Sequence, residues 1–99
     1  MHISTHTDGQ SLTVELEGRL DTATTPQVSE ALKDFPEDCA LCILDFANVD
    51  YISSAGLRLL LLLHKRMDAA GGKLVLRKVQ PGVQDILHMT GFTSFLHME

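Results

Sequence analysis

Along Ser11-Leu12-Thr13-Val14-Glu15-Leu16-Glu17 apolar and polar residues alternate with period two. This is the pattern of a strand with one buried and one wet face, lying antiparallel to a neighbour or at a sheet edge. Ile3 to His6 is its expected partner, reached through Asp8-Gly9, a dipeptide suited to a tight turn. After Gly18 the period changes. Thr24 or Thr25 followed by Pro26 marks a helix start, and Val28, Ala31, Leu32 and Phe35 form its apolar stripe until Pro36 ends it. Cys39 to Phe46 is apolar almost throughout, as expected of a strand at the sheet centre with helices on at least one face. Leu57 to Ala70 is strongly helical and is stopped by Gly71-Gly72. Lys73 to Lys78 alternates again, a third helix runs from Pro81 to Met89 with Gly91 as its stop, and Phe92 to Leu96 makes a short final element. The order β-β-α-β-α-β-α-β predicts an α/β fold: a mixed sheet of four or five strands with right-handed crossovers and three helices.

The chain has 99 residues, 44% of them hydrophobic, with no Trp and one Tyr. At this size a folded chain buries roughly 60–70% of its unfolded surface, enough for one core without a disulfide lattice or structural metal. We expect one domain over residues 1–99. Thirteen acids against eight bases give a net charge of −5, which argues against nucleic acid or an anionic membrane as partner, since phosphate binding needs clustered Lys and Arg. The charge is uneven. Residues 1–50 hold ten acids and two bases (net −8), and residues 51–99 hold three acids and six bases (net +3). Met1-His2-Ile3-Ser4 lacks the basic start and apolar stretch of a secretory signal, and the Leu59 to Leu63 run is far short of the ~20 residues that span a bilayer. A cytoplasmic location is expected.

Most candidate chemistry fails on spacing. Cys39 and Cys42 form a Cys-x-x-Cys pair, but the second Cys opens an apolar strand and not the helix whose dipole would activate a redox thiol, so both are expected to be reduced and structural. His2, His6, His64, His88 and His97 form no His-x-x-x-His or Glu-x-x-His unit, and no metal or cofactor is expected. Ser53-Ser54-Ala55-Gly56 lacks the Gly-x-Ser-x-Gly elbow of a hydrolase, and no phosphate-cradling glycine loop occurs. What remains is the junction Asp50-Tyr51-Ile52-Ser53-Ser54-Ala55-Gly56-Leu57-Arg58, where two hydroxyls stand at a helix start. A helix start carries free N–H groups and a positive dipole end. Ser53 suits the N-cap, its oxygen accepting from the amide of Ala55 or Gly56, which leaves Ser54 at the first helical position where no cap is needed.

Ile52-Ser53-Ser54-Ala55-Gly56-Leu57 resembles the phosphorylation-site motif of bacterial anti-sigma factor antagonists, the single-domain members of the STAS family. Gly18-Arg19-Leu20-Asp21 is similar to that family's Gly-x-Leu-Asp turn, Leu44-Asp45-Phe46 to its central strand, and Met89-Thr90-Gly91-Phe92 to its closing helix and turn. The resemblance implies a non-enzymatic module whose Ser54 is phosphorylated by a serine kinase. That kinase is usually the anti-sigma factor itself, built on a histidine-kinase-like ATPase fold. It further implies that the unphosphorylated form binds this partner, that a PP2C-type phosphatase resets Ser54, and that Asp21 lies near the phosphosite and contacts the kinase. The expected partner face is Asp21, Ser53, Ala55, Gly56, Leu57 and Arg58. The chain departs from the family pattern in having Ser53 where many members carry an acid, and Ala55 where many carry a second hydroxyl. A rival reading is an accessory subunit of a transport complex, a scaffold of the same fold without the switch. A second rival is a thiol oxidoreductase using Cys39 and Cys42. The six leucines from Leu57 to Leu63 exceed what one buried stripe needs, so either the helix is well buried between the sheet and a neighbour, or one or two of these leucines form a contact patch beside Arg58.

Overall fold

The computed structural model describes residues 1–33 and 39–99. β1 (His2–Asp8) and β2 (Ser11–Leu20) form an antiparallel hairpin closed by Gly9 and Gln10, with Gly9 at a φ of 61°, a left-handed conformation that glycine adopts without Cβ strain. β3 (Leu41–Ile52), β4 (Lys73–Arg77) and β5 (His97–Met98) then add in parallel, giving the order β1-β2-β3-β4-β5. The crossovers are α1 (Thr25–Leu32), α2 (Ser54–Ala69) and α3 (Pro81–Met89), the last followed by a short 3-10 turn, Phe92–Ser94. Because every crossover moves one strand in the same direction, a constant right hand places all three helices on one face of the sheet. Burial agrees: Val28 and Leu32 of α1, Leu60 and Leu63 of α2, and Val83 and Leu87 of α3 join one core with Leu12, Val14, Leu44, Phe46 and Leu76 of the strands. Ile43 and Val75 alternate to the opposite face and lie outside that core.

The expected α/β order is observed, with differences that have local causes. β2 is internal to the sheet, antiparallel to β1 but parallel to β3, and it runs on to Leu20. β3 continues six residues past Phe46 to Ile52. Its period-two pattern fails there because the β2–β3 register shifts twice, between Glu15 and Glu17 and between Gly18 and Arg19, so that Phe46, Val49 and Ile52 are all buried at a spacing of three. The irregular residue Ala47 is not left unsatisfied: its amide donates to Asp45 Oδ1 (2.9 Å) and its carbonyl accepts from Gln80 Nε2 (2.8 Å). α2 begins at Ser54 and not at Leu57. The last strand is His97–Met98, the Phe92 to Leu96 stretch being mostly the 3-10 turn. In α1, Val28 and Leu32 face the core as expected but Ala31 is exposed, and Phe35 and Pro36 lie outside the described residues.

α1 ends against α2. Arg66 donates from its two terminal nitrogens to the carbonyls of Leu32 and Lys33, both at 3.0 Å. It supplies donors to orphan carbonyls and a positive charge to the negative end of the α1 dipole. No helix among the described residues is long and apolar enough to cross a membrane. The α2 leucines separate into two kinds, Leu60 with no exposure and Leu62 with 57%. Leu60→Ala is expected to lower unfolding free energy by ~2–5 kcal/mol through the cavity it leaves. Leu62→Ala should stay within about 0.5 kcal/mol of wild type, both read from urea denaturation midpoints.

Candidate functional site

β2 and β3 are parallel, so both release the chain at the same end of the sheet, after the paired residues Leu20 and Ile52. From β3 the backbone passes directly into α2. The Ser53 amide donates to the Leu20 carbonyl at 2.9 Å, tying the start of the helix to the end of the neighbouring strand. Ser53 is extended (φ −97°, ψ 176°) and its Oγ accepts from the Gly56 amide at 3.4 Å, a long bond but the expected N-cap pairing, while its carbonyl receives the Leu57 amide at 2.9 Å as the first helical bond. Gly56 explains how the helix comes so close. A Cβ there would lie 2.9 Å from the Leu20 carbonyl oxygen and 2.7 Å from Ile52 Cγ1, contacts that no side-chain rotation relieves at the backbone atom.

These constraints leave Ser54 at the first helical position, exposed, with its hydroxyl in no hydrogen bond among the described residues. Of the other residues expected on the partner face, Arg58 is exposed, and Asp21, Ser53 and Ala55 are half-buried. One is corrected: Gly56 is buried and faces Leu20 and Ile52, so its smallness serves the fit of helix to sheet and offers no open surface. Leu57 is half-buried as well, with its inner side packed against the core.

Asp21 opens the turn after β2, and its carboxylate is already engaged there. Oδ1 accepts from the amides of Ala23 (3.0 Å) and Thr24 (3.1 Å) and from the Thr24 hydroxyl (3.2 Å), while Oδ2 lies 3.7 Å from Arg19 Nε. The largest influence on its pKa is the partial loss of solvent, which raises it. The hydrogen bonds from Thr24 and Ala23, with the Arg19 charge, together outweigh that and hold the carboxyl below its usual range. Arg19 is fixed in turn over the Tyr51 ring, 4.1 Å from its centroid, a cross-strand contact between paired residues. Asp21 is therefore a rigid anion beside the α2 start.

A groove of about 250 Å³ runs between α1 and α2, lined by Thr25, Pro26 and Ser29 on one side and Ala55, Arg58, Leu59 and Leu62 on the other. The α1 wall is what sequence reasoning missed; of the leucines considered for a patch beside Arg58, the exposed Leu62 lies there together with Leu59. One signal for Leu62 was available, since it stands four residues after Arg58 and eight after Ser54 and therefore shares their helical stripe. The wall of α1 carried none, because which helix lies beside α2 is fixed by tertiary packing.

Cys39 and Cys42 are both buried and unbridged. Burial first, and then the neighbouring Cys39, push the Cys42 thiol up to about 12, against a smaller opposing pull from Arg66. That is the reverse of an activated redox thiol and argues against the oxidoreductase reading. Among the described residues no three His, Cys, Asp or Glu side chains gather into a metal-ligating group.

The STAS domain model matches residues 2–99. The chain belongs to the STAS family. Its similar proteins include BtrV of Bordetella bronchiseptica, named as an anti-sigma factor antagonist, which is 44% identical over 52 residues, 52% of this chain and 45% of that one. A STAS-domain containing protein of Pseudomonas aeruginosa is 28% identical over 85 residues, covering 86% of this chain and 84% of the relative. Among solved structures, the anti-sigma factor antagonist SpoIIAA in its unphosphorylated form aligns over 99% of this chain and 87% of its own, with a TM-score of 0.79 at 18% identity. Bacillus SpoIIAA in its phosphorylated form aligns over 99% and 91%, with a TM-score of 0.77 at 17% identity. The five-stranded mixed sheet with three helices is thus the STAS fold.

The helix junction and the buried thiol of β3 each yield one expectation. Gly56→Ala should destabilise the protein by ~1–3 kcal/mol in chemical denaturation, because the added methyl meets the Leu20 carbonyl. In the native protein at pH 9, Cys42 should resist iodoacetamide and become labelled only in denaturant, as peptide mass mapping would show; rapid native labelling contradicts the burial that raises its pKa to about 12.

Proposed function

We propose that this STAS domain is a non-enzymatic partner switch of the anti-sigma factor antagonist type, acting in a bacterial cytoplasm as one domain over residues 1–99. In its unphosphorylated form it binds an anti-sigma factor that is also a serine kinase of the histidine-kinase-like ATPase type, and phosphorylation of Ser54 releases that partner. The observation that carries this reading is the division of labour at the α2 start. Ser53 takes the cap, and the Ser54 hydroxyl is left exposed and without a hydrogen-bond partner among the described residues. Family membership and the relative named as an anti-sigma factor antagonist support it.

In the transfer, Ser54 Oγ bonds to the γ-phosphorus of ATP as the bond to the ADP oxygen breaks, and the hydroxyl proton passes to a base on the kinase. A PP2C-type phosphatase hydrolyses the ester to restore the hydroxyl. The added charge of roughly −1.5 to −2 sits at the positive end of the α2 dipole, so it is stabilised within this protein and does not unfold it. Its effect falls on the interface, through the cost of desolvating the phosphate against a docked surface and repulsion from partner acids. The partner contacts are the exposed or half-exposed members of the expected face, Asp21, Ser53, Ala55, Leu57 and Arg58, extended along the groove by Leu62, Pro26 and Ser29.

Incubation with ATP and a cognate serine kinase of the histidine-kinase-like ATPase type should add one phosphate, localised to Ser54 by fragment mass spectrometry. Ser54→Ala should bind that kinase at wild-type strength whether or not ATP is present, and Ser54→Asp should bind at least ~10-fold more weakly, a loss of about 1.4 kcal/mol. Equal affinity of both variants and wild type would sink the switch, and no phosphorylation at all would favour a scaffold of the transport-subunit kind.

A further inference from the structure

Ser54, Arg58 and Leu62 succeed one another at intervals of four residues and are all exposed, so they form a single stripe along α2. Residues four apart on a helix have Cβ atoms about 5–6 Å from each other. Helical Cα–Cβ bonds tilt toward the N-terminus, so a side chain covers the turn before its own, and Arg58 covers the turn that Ser54 begins. The sequence order is also the favourable one, with the anion on the N-terminal side of the cation. What sets Arg58 apart from the other arginines is that no group among the described residues holds it. Arg19 is held by Asp21 and Tyr51, Arg66 by the carbonyls at the end of α1, and Arg77 by Glu99, whereas Arg58 makes no ion pair or hydrogen bond among the described residues. It stands instead on the rim of the α1–α2 groove.

We propose that Arg58 is the residue that reads the phosphate: phosphorylation of Ser54 draws the guanidinium into an ion pair one helical turn long. The proposal rests on the reading of Ser54 as the phosphorylated residue and adds its intramolecular receiver. A guanidinium presents paired donors that match phosphate oxygens, and here it needs no backbone movement to reach them. The consequence for the surface is double. An anion appears at the head of the groove, and in the same event the cation on its rim is withdrawn from any partner that used it. A partner therefore meets a reversal of charge on one wall of the groove while the fold beneath it is unchanged.

The test uses the full chain carrying phosphoserine installed at position 54 during translation, with the phosphate resonance tracked by 31P NMR against pH. Paired to Arg58, the second ionisation of the phosphate should occur about 0.3 pH unit lower in wild type than in Arg58→Gln at low ionic strength, the shift that an i,i+4 ion pair implies. The difference should shrink as salt approaches ~1 M. Arg58→Lys should retain part of it. Arg19 and Asp21 after β2, Asp50 at the end of β3, Glu30 on α1, and Lys65 further along α2 are common to all variants, so the difference isolates residue 58. Identical titration of wild type and Arg58→Gln overturns the proposal, as does a difference indifferent to salt. Because no kinase installs the phosphate, failure of a kinase to modify Ser54 would count against the functional reading alone, and equal titrations would count against Arg58 alone.

Discussion

The carbonyl of Leu20 is the point on which the functional end of this molecule turns. It closes β2, lies within a residue that has no exposure, and accepts the amide of Ser53 at 2.9 Å. A buried carbonyl without a donor would cost the fold more than an average hydrogen bond contributes, so that bond fixes where β3 gives way to α2. The same oxygen restricts the first turn of the helix, because only a residue without a Cβ can stand at position 56 above it. From one acceptor come the cap at Ser53, the close seat of the helix at Gly56, and the outward placement of Ser54 between them. The turn on its other side, opened by Asp21, starts from the same residue.

This rigidity suits a switch that works on a surface. Fixed charges can report a newly added one only if they do not relax away from it. Asp21 is held by three donors in its own turn and by Arg19, which is itself laid over Tyr51. Arg58, by contrast, is tethered only by its own flexible stem. The helix start therefore combines a static negative group with a movable positive one, beside a position where negative charge is intrinsically favoured by the helix dipole.

Much of this was legible from residue order. Turn and stop signals such as Asp8-Gly9, Thr25-Pro26, Gly71-Gly72 and Pro81 bounded the elements within a few residues, and alternation marked β2 and β4. The Ser53 cap came from capping chemistry, and the identity of Ser54 as the residue left over came from the cap. The second half of β3 was hidden because its buried residues Phe46, Val49 and Ile52 repeat every third position, a spacing produced by register shifts against β2 that only the paired strand creates. Gly56 was expected on the partner face when its smallness answers an inward contact, a distinction invisible without knowing that Leu20 lies beneath it. Leu62 differed from Leu60 only in rotation about the helix, and that rotation is set by where the sheet and α1 stand.

The order in which the strands lie has a further meaning. In open α/β sheets that hold nucleotides and other small ligands, the strand order reverses, helices diverge to both faces, and the crevice opened at that reversal receives the ligand beyond the carboxyl ends of the strands. Here the sheet reads β1-β2-β3-β4-β5 without reversing. The carboxyl ends of β2 and β3 still carry the distinctive chemistry, but they give onto a turn and a helix start, with the open groove between α1 and α2 beside them. Under the proposed function, a topology of this kind converts the traditional ligand end of an α/β sheet into a face that is read from outside, and the information it holds is as small as the state of one hydroxyl.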